Sequence, residues 1–377
     1  MCGAGAAMSL TAPLEVLFAR SIGYTPPMVV GFMLFSAAGV IVIDVFGTQL
    51  VPLMSARTSV SCGLALFGVA CIGMALATTY PVMMAVRLLQ GFGGGMMIGG
   101  GLQAAVRVAS VGSARALARF NAGFLLGGAV GSPCGLIVAA LVDGTVGYRG
   151  AFLATGVLAL VIAGAVLRLL PRLATPVEAG RPRLSLPRLG RAKGTLSGLA
   201  IAMVGDFLRG GVLFTALPLA GSVRGFPTMT IGIAIALMSV TEIIVLTLAA
   251  RLLRRFGLLR ILLAALLLGC ACGATLALAP SRAAYLGVSA VFGVALAGMT
   301  ISLPLVTVGL VGESSAGLAR FRISAGIGML VGSVGCAFLG ATAGPTPLFW
   351  VVTAVLAGGL ALIRNLGQHV RPALSPQ

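Results

Sequence analysis

Acidic residues are almost missing from this sequence: seven Asp and Glu stand against 25 Lys and Arg in 377 residues, and histidine occurs once, as His369. That lone histidine lies in a polar C-terminal tail, so a proton relay of histidines is excluded. The seven cysteines, Cys2, Cys62, Cys71, Cys134, Cys270, Cys272 and Cys336, mostly fall inside apolar runs, without metal-ligand spacing or a neighbouring histidine. They read as small packing residues, and no metal site is expected. The glycine cluster at 91–95 follows no strand and leads into no Lys-Ser/Thr, so it cradles no nucleotide. With no catalytic constellation either, neither an enzyme nor an ATP-driven pump is expected, and no cofactor.

What the chain has in abundance is apolar surface. Hydrophobic residues make up 59% of it and charged residues 8%, more than a water-soluble core of this size holds, which makes the chain an all-α polytopic membrane protein. Cutting at charges, prolines and turn residues leaves apolar segments near 1–18, 27–54, 60–79, 81–105, 117–141, 150–170, 196–220, 227–250, 258–279, 283–311, 322–343 and 347–366. A bilayer crossing takes roughly 20 residues, so eleven qualify and the first is short. Segment 1–18 has no basic n-region and no small-residue cleavage site, so it is no signal peptide. It reads as the second half of a first helix, giving 11–12 transmembrane helices.

The net charge of +18 is nearly all arginine in the gaps between apolar runs. That is a mark of topology rather than of a nucleic-acid surface, and no nucleic-acid partner is expected. If segment 27–54 runs inward, one face receives Arg57, Arg107, Arg115, Arg119, the run from Arg168 to Lys193, and later Arg251 to Arg260, Arg320, Arg322, Arg364 and Arg371. The other face receives Arg20, Arg149, Arg224 and Arg282. The positive-inside rule makes the rich face cytoplasmic and puts both termini there. Tyr24, Tyr80, Tyr148, Tyr285 and Trp350 then fall at the outer boundary, as an aromatic belt does.

The one long polar interruption, rich in Pro and Arg, is a basic cytoplasmic linker at 171–195. It divides an N-terminal six-helix bundle, 1–170, from a C-terminal one, 196–377, with a short cytoplasmic tail. The halves repeat in parallel: Arg57, Pro81 and Arg119 match Arg255, Pro280 and Arg320 within a few residues, and the run at 312–340 echoes 112–140.

The stretch RFNAGFLLGGAVGSPCG at 119–135 carries Gly123, Gly127, Gly131 and Gly135 four residues apart, with Pro133 on the last turn. In a helix these glycines form one smooth stripe, which in lipid lets a second backbone come close. In water each would cost about 1 kcal/mol against alanine and the proline about 3. The second half repeats the stripe at Gly328, Gly332, Cys336 and Gly340, and Gly91, Gly95 and Gly99 form another. The run at 119–135 resembles the fifth-helix signature of drug:proton antiporters of the major facilitator superfamily, with Ser132 inserted before Pro133 and Cys134 in place of one glycine. RLLQGFGGG at 87–95 resembles that superfamily's Arg-x-x-Gln-Gly-x-Gly motif, and Tyr148, Arg149 and Phe152 resemble the segment that opens its sixth helix. The family's Asp-bearing cytoplasmic latch is reduced here to Arg57 in LVPLMSARTSVS and to Arg255 and Gly257 in RLLRRFGLLR. Ser55 and Arg254 stand where the acid belongs, so the latch is weaker or differently built.

An arginine in a span costs roughly 2.5–3.5 kcal/mol on insertion scales, so Arg87 either faces protein or water or snorkels to the surface from two turns deep. The resemblance implies a role for it in coupling proton to substrate movement. Of the seven acids, Asp143, Glu178 and Glu313 lie in the linker or at span ends, and Glu15 lies near the end of the short first segment. Asp44, Glu242 and Asp206 lie deep in spans, where ionisable groups mark function. Asp44 and Glu242 precede Arg57 and Arg255 by similar distances, and Asp206 has Arg209 one turn on, a spacing that permits either a satisfied pair or a functional one.

The resemblance implies the major facilitator fold and a secondary active transporter of the inner (plasma) membrane. It exports an amphiphilic small organic molecule against protons by alternating access and acts as a monomer, its partners being substrate, protons and bilayer. Two other readings stay open: a uniporter or proton symporter for a small metabolite, and a non-transporting sensor or scaffold on a decayed transporter fold.

Overall fold

The computed structural model describes residues 2–50, 54–108, 113–142, 144–170, 193–278, 281–311 and 315–373. The 171–195 linker lies almost wholly outside them, as do Asp143, Glu178 and Glu313. Among the described residues all regular structure is helical, as expected of a chain whose backbone must satisfy its own polar groups in lipid. Among the described residues, twelve helical spans are long and apolar enough to cross a membrane. By contact the chain divides into two compact units, Met1–Pro187 and Arg188–Gln377.

The first unit comprises α1 (Cys2–Ser21), α2 (Pro26–Leu50), α3 (Ala56–Leu76), α4 (Tyr80–Val108), α5 (Ser113–Ala140) and α6 (Thr145–Leu169). The first segment, expected as half a helix, forms a 20-residue helix that meets the length of a span despite Pro13 in its interior. It is also deeply packed: Ala7, Leu14, Val16, Phe18 and Ala19 are fully buried. The glycine stripe of α5 explains this. A Cβ on Gly127, Gly131 or Gly135 would run into backbone carbonyls of Cys2, Ala6 or Leu10, so α1 and α5 meet backbone to backbone. Gly123, one turn earlier on the same face, is half-buried, and Pro133 is buried. The Ser132 hydroxyl donates to the Gly128 carbonyl at 2.8 Å.

The α4 stripe works likewise. Gly91 abuts α2 at Ser36 and Gly39, Gly95 abuts Ile43, and Gly93 abuts the α3 backbone at Gly63 and Phe67. The outer faces are left to lipid: α6 exposes Val146, Leu153, Val157 and Val161.

The second unit comprises α7 (Lys193–Phe207), a π-helical segment (Leu208–Ala216) and α8 (Leu217–Val223), which together make one span, then α9 (Thr228–Thr247), α10 (Ala249–Phe256), α11 (Leu258–Leu278), α12 (Arg282–Val311), α13 (Ser315–Thr342) and α14 (Pro345–Ala373). Here α13 takes the part of α5. Gly328 abuts Met203 of α7, and Gly332 abuts Phe207 and Gly211. The π segment shows its register in the Thr215 hydroxyl, which donates to the Gly210 carbonyl five residues back at 2.9 Å.

The tyrosine end of each unit is pinned the same way. Arg149 donates to the Ala75 carbonyl at 2.6 Å, and Arg224 to the Leu276 carbonyl at 2.6 Å, so each arginine sits on the last turn of α3 or α11, where the helix dipole favours a cation. Of the expected aromatic belt, Trp350 is exposed and Tyr24, Tyr80 and Tyr148 are half-buried. Tyr285 departs from it: it is fully buried and donates to the Leu217 carbonyl at 2.8 Å, which makes it an internal tie.

Candidate functional site

Each unit buries one ion pair, the two found among the described residues. In the first unit, α1 brings Glu15 to within six residues of its end at Ser21, and α4 brings Arg87 seven residues in from Tyr80. At 1.5 Å per residue both lie about 10 Å below the tyrosine end, well inside a span. Arg87 Nη2 donates to Glu15 Oε2 at 2.7 Å and Nη1 donates to Oε1, a two-pronged pairing of fork and carboxylate.

Three further groups hold the guanidinium. Nη1 donates to Gln90 Oε1 at 2.6 Å, Nε donates to the Phe32 carbonyl of α2 at 3.1 Å, and the Phe32 ring centroid lies 4.6 Å from Cζ. Gln90, three residues along the same face of α4, then donates to Thr11 of α1 at 3.3 Å and to Cys71 Sγ of α3 at 3.6 Å. One network therefore ties α1, α2, α3 and α4. The Arg87 side chain is 1% exposed and Glu15 12%, so the arginine does not snorkel to the surface, and what access the pair has belongs to the carboxylate. Removing one partner of a buried pair costs about 3–5 kcal/mol, because the other is left charged and unpaired in an apolar medium.

In the second unit the pair is built on other helices. Arg209 lies in the first turn of the π segment, Glu242 on α9 and Thr300 on α12. Arg209 Nη2 donates to Glu242 Oε1 at 2.6 Å and to Thr300 Oγ1 at 3.0 Å, and that hydroxyl lies 3.3 Å from the same carboxylate oxygen. Among the described residues Arg209 does not bond Asp206, one turn before it. Of the two readings left open for Asp206 and Arg209, the hydrogen-bonded partner of the arginine is Glu242, across on α9, while Asp206 remains a charged neighbour one turn away. Asp206 itself is half-buried on α7.

The remaining expected residues are spread out. Asp44 lies on α2, but its side chain is outside the described residues. In the gap between α2 and α3, Ser55 occupies the latch-acid position and caps α3, its Oγ accepting from Thr58 N at 3.1 Å, while Arg57 is half-buried in the first turn. An N-cap is a role that aspartate also fills, so the structural part of that position is kept without the charge. In the second copy, Arg255 is exposed and stacks over Phe256, and Gly257 joins α10 to α11 with a φ of 78°, which a side chain would strain. Sequence reasoning passed over Glu15, Phe32 and Thr300. The scarcity of acids was the available signal: an acid in an apolar helix needs a cation, and Arg87 was the buried one to look for.

Twelve spanning helices with a buried ion pair in each half define a polytopic helical membrane protein that keeps costly charge inside its bundles. Residues 1–319 match the Major Facilitator Superfamily, and the chain belongs to it: it is a membrane transporter. No curated protein matches the chain closely enough to count as a relative.

Proposed function

We propose that this transporter exports an amphiphilic small organic molecule in exchange for protons, by alternating access in the inner (plasma) membrane, with both termini and the 171–195 segment cytoplasmic. The observation that carries this reading is the Glu15–Arg87 pair. A carboxylate inside a span is a group that a proton neutralises, and 12% of this one remains accessible while its arginine is sealed. When Glu15 takes a proton, Arg87 keeps the Phe32 carbonyl, the Phe32 ring and Gln90, so the cation stays solvated by protein through the cycle. A pair held only by mutual attraction would collapse on protonation, and this one is built with partners in reserve. Arg87, Asp44, Asp206, Glu242 and Arg209 remain the other groups able to share in coupling, and the glycine stripes supply surfaces on which helices can slide without meeting side chains.

The test is flux in proteoliposomes. A pH gradient, acid on the side opposite the termini, drives a lipophilic fluorescent substrate toward that side and carries protons the other way. Flux that is indifferent to the gradient contradicts proton coupling, and substrate binding with no flux at all favours a sensor or scaffold.

A further inference from the structure

The two buried pairs are inverted in polarity. In the first unit the accessible member is the acid, with Glu15 12% exposed and Arg87 1%. In the second it is the base, with Arg209 16% exposed and Glu242 1%. The accessible member of an ion pair biases the sign of what it can receive, since a newcomer makes its direct contacts with that charge and not with the hidden one. At Glu15 that is a proton or a cation. At Arg209 it is an anion.

We infer that Arg209 is the recognition group for an anionic substrate, an amphiphile bearing a carboxylate or a phosphate-type head, with Glu242 as its resident internal counter-ion. This deepens the transport reading above and rests on it. Four features on the page carry it beyond the exposures. Both hydrogen bonds of Arg209 to Glu242 and Thr300 leave from one nitrogen, Nη2, of a three-nitrogen fork suited to two-pronged binding of oxyanions. Glu242 faces Arg209 from α9 and Asp206 stands one turn before it on α7, so Arg209 is the cationic group here that an incoming anion can engage. Arg209 also lies in the first turn of the π segment, where the helix is already irregular at a Gly-Gly step. Finally, it lies 13 residues from Leu196 and 14 from Val223 in its span, about 20 Å from either end. A lipid headgroup sits at the ends of a span rather than at its middle, so the source of the anion is a soluble amphiphile.

The test uses the full-length purified transporter and three naphthalene probes of equal size: naphthylacetate, naphthylacetamide and naphthylethylammonium. Wild type is expected to bind the carboxylate roughly tenfold to a hundredfold more tightly than the amide or the ammonium. Glu242→Gln, which removes the competing internal charge, retains or tightens that preference. The double variant Arg209→Gln/Glu242→Gln, which removes both members of the buried pair together, loses it, and Arg209→Lys keeps part of it.

Preference for the ammonium or the amide, no binding of the carboxylate, or an undiminished preference in the double variant each overturns the inference. Displacement of the carboxylate by phosphatidylglycerol but not by phosphatidylcholine overturns the assignment to a soluble substrate. Proton-coupled flux of the ammonium probe would sink the inference while leaving the transport reading intact, whereas tight carboxylate binding to Arg209 without proton-coupled flux would do the reverse.

Discussion

The guanidinium of Arg149 donates to the carbonyl of Ala75 at 2.6 Å, so the first turn of α6 is fastened to the last turn of α3. The same side chain lies 5.8 Å above the Phe18 ring of α1, which draws a third helix into the joint. Arg149→Ala is therefore expected to lower stability in detergent by about 1–2 kcal/mol, from one charged hydrogen bond and its dipole interaction. Arg149→Lys should recover part of this. Thermal unfolding of the two variants checks it, and equal midpoints for wild type and Arg149→Ala would contradict it.

The glycine stripe of α5 makes a sharper prediction. Gly127→Leu or Gly131→Leu drives a side chain into the α1 backbone and should cost at least about 1–3 kcal/mol, seen as lost folded protein or as a transporter frozen in one state. Gly164, on α6, has nothing within 4 Å of an added Cβ, so Gly164→Ala should leave abundance and transport unchanged. If the α5 variants behaved like the α6 control, the stripe would face lipid.

Most of the architecture was legible because membrane helices announce themselves by length and apolarity, and the α5 and α13 stripes by spacing. The site was less so. Arg87 and Gln90 read as one face of a helix, but the partner, Glu15, sits 72 residues away on a helix whose own sequence looked half-length. The partner of Arg209 was hidden for a different reason. An α-helical wheel puts Asp206 and Arg209 side by side, whereas Glu242 lies 33 residues away on α9, a separation that no local pattern marks.

Topology is open to a direct check. With both termini and the 171–195 segment cytoplasmic, Ser185→Cys in a cysteine-free background should resist an impermeant maleimide added to intact cells and react once the cells are opened. Labelling from outside would reverse the orientation and with it the direction of the proposed export.

The most direct measurement of the account is proton movement in Glu15→Gln. The glutamine keeps the shape of the carboxyl and one acceptor for Arg87, which also retains Phe32 and Gln90, so the protein should fold while losing the titrating group. Reconstituted in vesicles, the variant is expected to exchange labelled for unlabelled substrate near the wild-type rate. It should fail to build a substrate gradient from a pH gradient, with the accompanying proton flux reduced to that of empty vesicles. Wild-type proton flux and gradient-driven transport from Glu15→Gln would contradict the claim that the buried pair of α1 and α4 carries the proton.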